Sequence, residues 1–135
     1  MPANHALYEN HNRSLITISD EHAHLVELLD ILDSAIKLKP RAPNIVGAVL
    51  DDIFDETSEH FLHEEAIMLE AGFSDFLAHQ KDHQTILALM KSLIERHSGG
   101  ESGIDSEIRQ LIEGWMQRHF KSYDGNLVVL LTERF

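Results

Sequence analysis

Apolar residues recur along this chain at intervals of three and four, the spacing that gathers them on one face of an α-helix. In a first segment His22, Leu25, Val26, Leu29, Leu32 and Ile36 share such a stripe, behind a capping-box pattern at Thr17 and Asp20. The stretch from Lys39 to Pro43 ends it, because proline donates no backbone hydrogen bond. A second stripe runs through Val46, Val49, Ile53, Thr57, His60, Phe61, Glu64 and Met68, and stops at Ala71-Gly72, where glycine suits a left-handed cap. A third restarts at Ser74-Asp75 and carries His79, His83, Ile86, Met90 and Leu93. The glycine- and serine-rich run from Ser98 to Gly103 separates it from a fourth, with Ile108, Leu111, Ile112, Trp115 and His119. No period-two alternation competes, and the first dozen residues, with little periodicity, read as an arm. The pattern predicts an all-α protein with a single domain over 1–135. A short N-terminal arm to about residue 16 precedes an up-down-up-down antiparallel four-helix bundle over about 17–132, since short connections favour antiparallel neighbours.

Composition narrows the chemistry. Lys and Arg number 11 against 23 Asp and Glu, a net charge of -12 that repels phosphate backbones and anionic lipid. Neither nucleic acid nor a membrane surface is therefore an expected partner. With no long apolar run and no signal-peptide pattern, the expected compartment is the cytoplasm. The absence of cysteine excludes disulfides, thiolate nucleophiles, iron–sulfur clusters and cysteine zinc sites. Ten histidines are out of proportion for a small acidic domain.

His22, His60, His79, His83 and His119 fall on the apolar stripes rather than opposite them, and Glu64 follows His60 by one helical turn. Imidazoles and a carboxylate facing a core need partners, and a metal supplies one for all of them together. No single pair is telling, since random placement of the histidines gives about 0.7 His-x-x-x-His pairs. Metalloprotease chemistry is excluded by Gln80, which stands where the His-Glu-x-x-His motif needs glutamate. Ferritin-like di-iron sites need Glu-x-x-His on two helices, and only Glu21-x-x-His24 is present. The five histidines, Glu64 and one further carboxylate exceed what one tetrahedral zinc accepts. Two metals bridged by both carboxylates and one solvent oxygen absorb them, with one open position. Nitrogen and oxygen donors without sulfur suit iron or manganese, iron being the redox choice.

His60-Phe61-x-x-Glu64-Glu65-x-x-Met68, His79-x-x-x-His83 and Trp115-x-x-x-His119-x-x-x-x-Asp124 together resemble the hemerythrin family in its single-domain bacterial form. Asp20-Glu21-His22-x-x-Leu25 resembles that family's first-helix motif, so the likeness covers about residues 15–128. The resemblance implies that His79, His83 and His119 bind a saturated iron, that His22 and His60 bind the iron that receives dioxygen, and that Glu64 and Asp124 bridge them. It makes Leu25, Phe61, Trp115, Met116 and Phe120 the walls of an apolar ligand pocket. Ser19 stands where the family commonly has aspartate, and Asp20 lies one residue later, which lets His24 compete. Leu25 and Val26 follow His22 at the family's spacing and favour His22. Met116 replaces a usual leucine at similar volume. Asp124 rests on the resemblance alone: a spacing of five turns a helix by about 500°, roughly 140° away from His119, so a π-bulge or bend near Gly125 is required. By the same arithmetic Glu65 points away from the metal.

The implied function is reversible dioxygen binding at a non-haem centre of two iron ions, oxo- or hydroxo-bridged, for oxygen carriage, storage or sensing, without enzymatic turnover. The alternative is a di-iron enzyme that reduces peroxide or nitric oxide, or a ferroxidase, for which an acid near the open position is needed; His24 and Glu21 are the candidates. Sensing would require a redox or signalling partner protein.

Overall fold

The computed structural model describes residues 2–38, 40, 42–111, 114 and 118, of which 2–15 as backbone alone. Its helices are α1 (Pro2–Ile36), α2 (Pro43–Ala71), α3 (Phe76–Ser98) and α4 (Ile104–Gln110), and no strand occurs among the described residues. Consecutive helices pack on one another, giving the up-down-up-down arrangement of a four-helix bundle. Each connection is where the residue pattern breaks. Pro43 occupies the first turn of α2, where its missing N–H costs nothing. Gly72 ends α2 in the left-handed region at φ 68°, where the Phe73 N–H reaches the Met68 carbonyl at 2.9 Å. Phe73 also packs on the buried cluster of Ile18, Met68 and Ala71, the apolar contact that accompanies such a cap. Gly100 does the same after α3 at φ 74°, with the Glu101 N–H on the Arg96 carbonyl at 3.1 Å. Half-buried Arg96 then ties Glu101 and Glu107 across the loop, and its guanidinium holds the Glu107 carboxyl below the usual carboxylate range.

The stripes of α2 and α3 face inward as their spacing predicts: Ile53, Thr57, His60, Phe61, Glu64, Met68, His79, His83, Ile86, Met90 and Leu93 are all buried. Two expectations are corrected on α1. The backbone is helical from Pro2, so Thr17 and Asp20 lie inside the helix and cap nothing. Val26 is 47% exposed, because the inward arc of α1 narrows to Leu25, Leu29 and Leu32. On α4, Ile104, Ile108 and Leu111 are buried. The backbone takes a π-helical turn at Leu111 and Gly114, upstream of the irregularity expected near Gly125, which lies outside the described residues.

The core is divided. A large cluster, including Leu29, Leu32, Ile53, Phe61, Ile86, Met90 and Ile108, fills one end. A smaller one of Ile18, Met68 and Ala71, flanked by Phe73 and Phe76, closes the other. Between them lies a buried polar layer of His60, Glu64, His79 and His83.

Gly72→Ala should cost about 1 kcal/mol, because alanine disfavours that positive φ even though nothing crowds the added Cβ. Gly99→Ala, at φ -77°, should be neutral or stabilising. Urea denaturation of both variants checks the contrast.

Candidate metal centre

Glu64 organises the polar layer. It is 0% exposed, and its Oε1 lies 3.1 Å from Nε2 of His60 and 3.3 Å from Nε2 of His83. Two groups of donor atoms form around it, each mutually within 4.8 Å: His22, His60 and Glu64, then Glu64, His79 and His83. The helical period explains the local part. His60 and Glu64 are one turn apart on α2, as are His79 and His83 on α3. His22 comes from α1, half-buried, its ring edge-on to that of His60 at 4.6 Å. The His79 and His83 rings meet the same way at 4.5 Å.

The outer nitrogens are held as well. Nδ1 of His60 lies 3.0 Å from Glu21 Oε1, and the other oxygen of Glu21 takes Nδ1 of His63 at 2.7 Å. Nδ1 of His83 lies 3.4 Å from Glu65 Oε2. A carboxylate on one ring nitrogen fixes the tautomer and turns the other nitrogen toward the centre, the usual support for a metal-binding imidazole. Phe61 stacks flat on His83 at 3.7 Å and 6°, which fixes that ring's plane.

Of the residues expected at the site, His22, His60, Glu64, His79 and His83 are brought together. His24 is not: its side chain is 52% exposed and pairs with Glu56 on the surface. Leu25 is buried near the layer yet belongs to neither apolar cluster. Phe61 is buried against His83 and lies 6.0 Å from His60, so it serves the histidines as much as any pocket. His119, Asp124, Trp115, Met116 and Phe120 lie outside the described residues. Glu21 and Glu65 are additions as ring partners. Glu65 does point off the centre, as helix geometry requires, but onto the back of His83. No periodicity within one helix could reveal that, since each contact is set by the register between helices.

The donor set suits a pair of hard-to-borderline cations: imidazole nitrogens and carboxylate oxygen, buried, arranged as two triads with one shared carboxylate. A model of the Hemerythrin HHE cation binding domain matches residues 14–131. The chain belongs to the hemerythrin family. Hemerythrins are oxygen-binding di-iron proteins rather than enzymes, and the buried nitrogen and oxygen donors of the two triads suit such a centre. Relatives include the bacteriohemerythrin of Stenotrophomonas maltophilia (strain R551-3), 31% identical over 84% of this chain and 72% of that protein. The bacteriohemerythrin of Pseudomonas paraeruginosa (strain DSM 24068 / PA7) is 27% identical over 87% and 74%. The myohemerythrin of Riftia pachyptila is 31% identical over 60% and 65%. No solved structure gives a significant match. Among the described residues no helix is long and apolar enough to cross a membrane.

Because Glu64 alone belongs to both triads, Glu64→Ala should abolish iron loading at both, and His22→Ala should reduce it. His24→Ala should load as wild type. Iron content after anaerobic loading and desalting reads all three, and loss of iron in the His24 variant would reverse the assignment.

Proposed function

We propose that this hemerythrin binds dioxygen reversibly, as a carrier, store or sensor in the cytoplasm. The observation that carries the reading is the shared position of Glu64 in two buried triads, which suits a bridge between two metals. Iron bound there would supply the electrons that reversible dioxygen binding draws upon. In this reading His22 and His60 would hold the iron that receives dioxygen, His79, His83 and His119 would hold the other, and Glu64 and Asp124 would serve both. Leu25, Phe61, Trp115, Met116 and Phe120 exclude water from the ligand.

The residues of the chain do three things toward that end. Glu21 and Glu65 hold His60 and His83 by their outer nitrogens, so that the Nε2 atoms stay turned toward Glu64. The two apolar clusters close the layer from both ends and keep its dielectric low, which retards loss of a charged product from the pocket. The acids needed by a peroxide-reducing enzyme are turned elsewhere. Glu21 is engaged with the outer nitrogens of His60 and His63, and His24 lies at the surface with Glu56. That arrangement favours retention of the ligand over its turnover.

Protein produced with ample iron should carry two irons per chain and show near-ultraviolet and visible charge-transfer bands in air that vanish on deoxygenation. One zinc per chain, or none, would refute the reading. Leu25→Ala should bleach the oxygenated form faster at unchanged iron content, because a truncated wall admits water. A time course of absorbance beside iron analysis measures both.

A further inference from the structure

Thr57 is the buried polar residue of α2 that the metal centre leaves unused. Its side chain is 0% exposed, and Oγ1 has no hydrogen-bond partner among the described residues. Hydroxyls inside helices commonly bond the carbonyl one turn back. Ser58 does so on Phe54 at 2.8 Å and Thr85 on Lys81 at 3.0 Å. Thr57 does not, and a buried hydroxyl left unbonded destabilises the fold.

The register between helices shows where that hydroxyl sits. Along α2, Thr57 is one turn before His60 and Phe61 and two turns before Glu64, on nearly the same line. On antiparallel α1, His22 meets His60 and His24 meets Glu56. Each step up α1 is a step down α2, so Leu25 stands level with Thr57. On α3, Phe61 and Glu64 meet His83, and continuing that register sets the turn from Ile86 to Met90 level with Thr57. Leu25 and Met90 are both buried and apolar. Thr57 thus places a lone hydroxyl on an apolar shelf one turn from the His22–His60 pair.

We infer that the Thr57 hydroxyl donates a hydrogen bond to dioxygen held between His22, His60 and Leu25, and thereby slows its release. This rests on the oxygen-binding function proposed above. Bound dioxygen presents lone pairs that accept, and a hydroxyl in an apolar surround, with no competing partner among the described residues, is a strong donor.

Thr57→Val keeps the shape and removes the hydroxyl. The metal-free variant should melt at the wild-type temperature or above it, since an unbonded polar group is gone. The iron-loaded variant should keep its iron and release dioxygen about tenfold faster in stopped-flow dissociation, the worth of one hydrogen bond to a partly charged acceptor. Thr57→Ser, which keeps the hydroxyl, should release it more slowly than the valine variant. Wild-type release from Thr57→Val would overturn the inference. So would a lower melting temperature of that variant without metal, which would give the hydroxyl a structural partner. Wild-type protein that holds two irons but forms no oxygenated species would overturn the proposed function and this inference with it. A normal oxygenated wild type beside an unchanged valine variant would overturn this inference alone.

Discussion

A carboxylate with no exposure to solvent is the constraint on which this structure depends. Glu64 cannot stay ionised in an apolar interior unless positive charge or strong donors surround it. Three helices converge to supply them: His22 from α1, His60 from α2, and His79 with His83 from α3. The bundle therefore has a purpose for its unusual histidine content. Imidazoles that would be costly in an ordinary core become candidate metal ligands here, and a pair of cations held among them would make burial of the carboxylate favourable. Metal binding and folding are linked for the same reason.

Helix α2 is the hub because one helical line carries Thr57, His60, Phe61, Glu64 and Met68 inward. That line meets both apolar clusters, the larger at Phe61 and the smaller at Met68, and these close over the polar layer along the bundle axis. Sideways, the seal is made of ring partners. Glu21 clasps His60 and His63 together, and Phe61 lies flat against His83. Histidines held at both nitrogens or by a stacked face lose little further freedom when a metal arrives. That is how a small bundle prepares a site before it is filled.

The acidic character of the chain plays a different part from the buried carboxylate. Glu56 and the outer oxygen of Glu21 meet His24 and His63 toward solvent. Arg96 binds two glutamates at the turn between α3 and α4. These contacts orient surface groups in high dielectric, where ion pairs add little stability. The energetic weight lies inside, with Glu64.

Sequence alone determined the inward lines of α2 and α3, because a helix repeats every 3.6 residues and burial of a stripe is a local consequence of that period. The same locality placed His60 beside Glu64 and His79 beside His83, and Gly72 at the cap of α2. It could not set the start of α1, whose first residues are helical without an apolar stripe to announce it. Nor could it close the choice between His22, which periodicity set on the stripe, and His24, which the displaced Asp20 left as a competitor. Tertiary structure parts the two: the antiparallel register sets His22 against His60 and sends His24 to Glu56 at the surface. Register likewise brought Glu21 behind His60, Glu65 behind His83, and Leu25 level with Thr57. Such pairings depend on how far one helix slides along another, which is fixed by the packing of whole faces and leaves no periodic trace in either segment.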